Sequence, residues 1–197
     1  MKNVAVFDFD NTLIKGDSLW PFLVFSCGRI PTCVAIVEAL AWSAFKCAQK
    51  RPPDGIRTFV KDFLLRRLLK GRRRDDLKEA AQKTRVWRKL NEPIVNKLCE
   101  HHDKGDVIVI ASGSLDLYLV EMLRDIPHDA LICTNVGVEG GIVTGEMTDG
   151  NCVRQHKAAR VKEWIDTHGP FGDSFGYGNA PHDLPMLELM RHKVVVG

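Results

Sequence analysis

The sequence has no run of about 18 uncharged apolar residues, the length a helix needs to cross a bilayer, so it predicts no transmembrane helix. The nearest approach, residues 18–45, is rich in Leu, Trp, Phe, Val and Ala, but Pro21, Arg29, Pro31 and Glu38 interrupt it. No export signal is predicted either: the N-terminal run Val4–Phe7 is too short and ends in Asp8 and Asp10. There is no Cys-x-x-Cys pair, and His101-His102 has no metal-ligand spacing to the cysteines at 27, 33, 47, 99, 133 and 152. This excludes a zinc module and a disulfide framework, and reads the cysteines as buried reduced thiols of a cytoplasmic protein. Internal repeats and low-complexity tracts are also missing, which excludes solenoids.

What is present is ordinary globular usage: 197 residues, 45% hydrophobic and 27% charged. That suits one domain, or one domain with an insert. The net charge of +3 is unevenly spread. Residues 50–90 hold 15 basic and 5 acidic side chains, net 15 − 5 = +10, which leaves +3 − 10 = −7 for the rest. Such asymmetry suits an anionic partner for the middle segment.

Residues 4–9, apart from Asp8, and residues 107–110 are short, nearly continuous runs of β-formers, the pattern of strands buried on both faces. Residues 130–133, 174–177 and 194–196 add further strands, and helical patterns lie between them at 115–123, 156–167 and 183–190. The alternation predicts an α/β fold, a Rossmann-like parallel sheet wrapped by helices. Residues 136–147, punctuated by Gly137, Gly140, Gly141 and Gly145, predict a small β-hairpin beside it. Residues 18–91 break the alternation with helical spacing, divided by Pro52-Pro53 and Gly71. They are expected to form a helical cap inserted into a catalytic core of residues 1–17 and 92–197.

Ligands of such sheets sit beyond the carboxyl ends of strands, and four polar clusters fall there. In Asp8-Phe9-Asp10-Asn11-Thr12 the two carboxylates point the same way from an extended strand. Adjacent like charges are costly unless a cation or a shared proton holds them. A hard cation such as Mg²⁺, or a nucleophile working with a proton carrier, would explain the pair. A solvated turn is disfavoured because the preceding strand is too apolar for an edge. Ala111-Ser112-Gly113-Ser114 offers a hydroxyl and backbone N–H groups for an anion, though Ser114 alone reads as a helix N-cap. Lys157, in Arg154-Gln155-His156-Lys157, could offset phosphate charge, with Arg154 and Arg160 as rivals. In Gly178-Asn179-Ala180-Pro181-His182-Asp183, Asn179 could give a metal a neutral oxygen; Asp183 reads equally as a cap of the last helix.

In this order the four clusters resemble the motifs of the haloacid dehalogenase superfamily, over nearly the whole chain, and within it the phosphoserine phosphatase-like subfamily with a helical cap. The resemblance implies a Mg²⁺-dependent phosphomonoester hydrolase. Asp8 would be the nucleophile that forms an aspartyl-phosphate, and Asp10 the acid and then the base. Thr12, Ser112, Gly113 and Lys157 would bind phosphate. Asp8, the carbonyl of Asp10, Asn179 and Asp183 would form the metal site. The fourth motif departs from the usual Gly-Asp, since Asn179 follows Gly178 and one negative charge is lost. The chain also stops after a strand where such relatives continue, so a truncated C-terminus is expected.

A small phosphorylated metabolite is the favoured substrate. Phosphoserine is disfavoured: Asp17, the candidate substrate contact, stands where phosphoserine phosphatases have a glutamate, and is one carbon shorter. A lipid phosphate at an anionic membrane, as in the phosphatidylglycerophosphate phosphatases, is the alternative, because residues 19–45 are apolar and the following arginines basic. The favoured reading of those residues is plainer: the apolar ones form the cap's own core and the arginines a solvated face. A basic nucleic-acid-binding module without catalysis is the rival from another class; it leaves Asp8 and Asp10 unexplained.

Overall fold

The computed structural model describes residues 1–49 and 55–197. A five-stranded parallel sheet has the order β3-β2-β1-β6-β7, from β1 (Val4–Phe7), β2 (Val107–Leu115), β3 (Ala130–Thr134), β6 (Ser174–Asn179) and β7 (His192–Val196). The apolar run at the N-terminus is thus the central strand. Its alternate residues serve two cores: Ala5 and Phe7 join the larger cluster on one face, Val4 and Val6 the smaller one on the other. With both faces covered, every position must be apolar, and all four are fully buried.

Helix α5 (Glu92–Asp103) packs against β1 and β2. Helix α6 (Asp116–Met122) follows β2, and α7 (Arg154–His168) packs on β2 and β3 from the side of the smaller core. The last helix, α8 (Leu184–Leu187), is much shorter than the predicted 183–190. The second cluster does not lead straight into a helix as expected. Instead β2 runs on through a register shift between Ala111 and Leu115, and Leu115 rather than Ser114 is the N-cap of α6.

Between β1 and β2 lie α1 (Leu19–Cys27), α2 (Arg29–Gln49), α3 (Gly55–Leu64) and α4 (Leu77–Trp87), with α3 running on into a π-turn at Leu65–Leu69. The predicted break at Pro52-Pro53 lies outside the described residues. The break at Gly71 is present, with φ +82. The hairpin β4 (Val136–Glu139) and β5 (Ile142–Met147) forms as expected, but it does more than flank the sheet. Gly71 N–H bonds to Val143 O at 2.9 Å, Val143 N–H to Arg72 O at 2.8 Å and Arg74 N–H to Gly141 O at 2.9 Å. The helical segment is therefore seamed to the hairpin by backbone hydrogen bonds. Gly145, at φ +78, is required there: a Cβ would lie 2.9 Å from Lys70 Cβ and 3.1 Å from Leu65 O.

Two further expectations fail. Cys33 is exposed, not buried. The apolar residues of 19–45 do not all enter a core: Ile30, Val34, Val37, Leu40, Trp42 and Phe45 face outward from α2. The reason is that α2 packs inward through small residues, Thr32, Ala35, Ala39 and Ser43.

Candidate active site

The central strand β1 ends before its neighbours do. Phe7 pairs with Ile110 of β2 and Tyr177 of β6, and Asp8 N–H continues the ladder to Tyr177 O at 2.8 Å. Asp8 therefore leaves the sheet between β2 and β6, both of which run on past it. Its carboxylate accepts from Lys157 Nζ at 2.6 Å, and the same ammonium donates to Asp183 at 2.6 Å. All three side chains are buried. Arg154 and Arg160, the rival cations, go elsewhere: Arg160 bonds to Cys133 O, and Arg154 turns toward His182. Burial alone would lower the Lys157 pKa, but Asp8 and Asp183 outweigh it, so the pKa is raised. At Asp8 burial wins over the attraction of Lys157, pushing the carboxyl up to about 6.

Asp183 stands at the N-cap of α8 but makes no side-chain cap bond to it. Its second oxygen instead accepts Asn179 N–H at 2.9 Å, which brings two of the four predicted metal residues together. Gly178 permits this, because a Cβ there would lie 2.6 Å from Asp183 Cβ.

Asp10 is held by Ser18 N–H at 2.9 Å and by the Ser114 hydroxyl. Ser114 is thus a support of Asp10 rather than a helix cap. Burial is the main force on the Asp10 carboxyl and the charge of Asp17 the next, pushing it up to about 7. Asp17 itself is exposed and accepts Leu19 N–H at 2.9 Å. Ser112 is buried, its oxygen taking Ser114 N–H at 3.0 Å. Thr12 Oγ1 is the one buried side-chain oxygen or nitrogen without a hydrogen-bond partner among the described residues. Such an orphan is costly unless something fills the need.

Lys61 carries no local sequence signal that separates it from its basic neighbours. Reaching in from α3, it donates to Gly113 O at 2.7 Å and Asn151 Oδ1 at 2.8 Å. Desolvation pushes its pKa down to about 8 despite the pull of Asp10 and Asp17. Asn151 in turn donates to Thr58 of α3 at 2.9 Å, so Lys61 and Thr58 together tie the helical segment to the core beside Gly113.

The family's sequence model, described as haloacid dehalogenase-like hydrolase, matches residues 5–188 and so takes in all four clusters. The chain belongs to the haloacid dehalogenase-like hydrolase family. A histidinol-phosphatase of Neisseria meningitidis serogroup C (strain 8013) is 26% identical to this hydrolase over 208 residues, covering 100% of this chain and 90% of the relative. A protein of unknown function from Bordetella pertussis Tohama I has the same fold, with a TM-score of 0.81, 21% identity and coverage of 99% and 90% of the two chains. Phosphoserine phosphatase in its apo form superposes with a TM-score of 0.67 at 15% identity, covering 99% of this hydrolase and 86% of that chain.

Among the described residues no three His, Cys, Asp or Glu side chains cluster as a metal cage. The acidic site still fits a hard cation. Asp8 and Asp183 share one ammonium, and Asp8, Asp10 and Asn179 offer only oxygen donors. Mg²⁺ keeps several waters and needs no full protein cage.

Proposed function

We propose that this hydrolase is a Mg²⁺-dependent phosphatase of small phosphorylated metabolites, working through an aspartyl-phosphate on Asp8. The observation that carries the reading is Asp8 at the end of the central strand, buried and paired at 2.6 Å with Lys157, in a loop whose Thr12 hydroxyl lacks a partner. The name of the Neisseria relative points the same way. Family membership in a hydrolase group leaves the non-catalytic nucleic-acid reading without support. We assign residues 18–91 as the cap and the remainder as the core.

Asp8, the carbonyl of Asp10 and Asn179 would hold Mg²⁺, with Asp183 ordering its surroundings. When bound, the ion offsets negative charge on the phosphoryl oxygens. The residues do the rest. Asp8 attacks phosphorus while the bond to the ester oxygen breaks, and protonated Asp10 gives that oxygen its proton. Asp10, now a carboxylate, takes a proton from water, which attacks the aspartyl-phosphate and frees Asp8 and inorganic phosphate. An Asp10 carboxyl near 7 is suited to both halves at neutral pH. Thr12, Ser112, the Gly113 N–H and Lys157 would bind the phosphoryl oxygens, a largely electrostatic task.

Hydrolysis of p-nitrophenyl phosphate is expected to fall to background in chelator and to return with Mg²⁺; indifference to chelator would refute the metal. Asn179→Asp adds a negative donor. It is expected to lower the Mg²⁺ concentration for half-maximal activity by about three- to tenfold, since ligand charge tunes affinity. Mg²⁺-induced thermal stabilisation, measured in the same titration, should shift in parallel. A panel containing histidinol phosphate and phosphoserine then tests the substrate.

Lys61 is proposed to add cap-borne positive charge beside the phosphate site. Lys61→Met is expected to raise KM about tenfold, the worth of one charge-assisted hydrogen bond, with the far-UV spectrum unchanged. An unaltered KM would remove Lys61 from the substrate's reach.

A further inference from the structure

Helix α2 is built inside out. Along its inward side run Thr32, Ala35, Ala39 and Ser43, all buried and all small. Its large apolar side chains point to solvent: Ile30 is 78% exposed, Val37 66%, Phe45 57%, Leu40 54% and Trp42 51%. An amphipathic helix of a water-soluble protein has the opposite polarity. From residue 30 to residue 45 no exposed position carries a charge. The single charged residue in that stretch, Glu38, is half-buried and neutralised by Arg67 at 2.9 Å. The face extends over about 24 Å at 1.5 Å per residue. Isolated exposed apolar residues need no explanation, but a continuous face of this kind marks a contact surface.

The charge around it indicates the partner. Residues 18–91 contain 17 basic and 6 acidic side chains, net 17 − 6 = +11. Arg29 stands exposed at the start of α2, Arg57 exposed early in α3, and Arg67 lies along its flank through Glu38. A second copy docking by the same face would bring two such positive segments together. An anionic surface would be attracted to both the apolar stripe and its basic surround. No described helix is long and apolar enough to cross a membrane, so the arrangement suits a helix lying on the bilayer rather than through it. Aromatic Trp42 and Phe45 suit the headgroup boundary.

We propose that the outward face of α2 is a docking surface for an anionic lipid bilayer. It rests on α2 and the charge about it, not on the chemistry of Asp8, so the two readings can fail separately.

The test is co-sedimentation of the full chain with phosphatidylcholine vesicles with or without one third phosphatidylglycerol, at low and physiological salt. The wild type should bind the anionic vesicles at least tenfold more tightly than the neutral ones, with binding weakened by salt. Val34→Glu combined with Val37→Glu should abolish it while aryl-phosphate hydrolysis stays unchanged; both positions are exposed and outside the catalytic machinery. Arg67→Gln should weaken it selectively on anionic vesicles. Equal or absent binding to both vesicle types at low salt overturns the proposal. So does a dimer, seen by light scattering, that the double glutamate variant dissociates without any vesicle binding by the wild type; the occupant would then be a second copy.

Discussion

Asp8→Asn is expected to lower phosphate-ester hydrolysis by at least about 10³-fold, because the amide has almost the size of the carboxylate but cannot attack phosphorus. Loss of the fold would be the trivial explanation, and the site's own electrostatics argue against it. The Asp8 carboxyl is pushed up to about 6 by burial, so its charge is a burden on the folded chain at neutral pH. A neutral asparagine removes that burden. Lys157 loses one charged partner but keeps Asp183 at 2.6 Å. The variant should therefore melt within a few degrees of the wild type while being inactive. Acid-quenched wild-type enzyme should carry phosphate on the Asp8 peptide by mass spectrometry, and the variant none. Substantial activity in Asp8→Asn would end the aspartyl-phosphate mechanism.

Lys157→Met should fail in the other way, losing both activity and stability. It removes the only side chain among the described residues shown bonding to both Asp8 and Asp183 and leaves the two buried carboxylates without their shared cation. Breaking a buried pair from one side costs about 3–5 kcal/mol. In a chain of this size that is a melting-point drop of roughly 10 °C. The loss has a pH signature. Without the lysine, the Asp8 pKa must rise further, because the lysine's attraction is a force now lowering it. A carboxyl whose folded pKa is raised contributes stability that is complete below its unfolded value of 3.8 and is lost as pH rises through the folded value. The deficit of the variant should thus be largest near pH 8 and shrink toward pH 5, where Asp8 takes up a proton. A deficit independent of pH would mean that Lys157 matters for packing and not for charge. Hydrolysis should fall by at least about a hundredfold, as one phosphate-stabilising cation is lost.

Much of this was legible in the chain because buried parallel strands leave a strong trace. Val4–Phe7 must be apolar on both faces, so the run it belongs to could be read as a strand inside the sheet rather than at its edge. Polar residues directly after such strands can be placed without knowing any helix packing, which is why Asp8, Asp10 and Asn179 stood out. Lys61 could not. It is one of 15 basic residues in residues 50–90, and nothing local separates a lysine that folds inward from one in water. Ser114 was misread for a related reason: the extension of β2 and the approach of Asp10 are tertiary facts. The reversal of α2 escaped because hydrophobic periodicity marks the side where apolar residues lie, but not whether the chain's own core lies there.

The backbone seam between residues 71–74 and the hairpin bears on how this family can be recombined. Three main-chain hydrogen bonds, two of which form the bridge of Arg73 to Ile142, hold the segment to the hairpin, and Gly145 makes room for the π-turn. Inserted segment and hairpin are therefore one heritable unit although residues 92–135 separate them in the chain. A chimera that imports residues 18–91 from a relative should fold well only if residues 136–147 travel with it. Specificity in such grafts will then follow the pair rather than either piece.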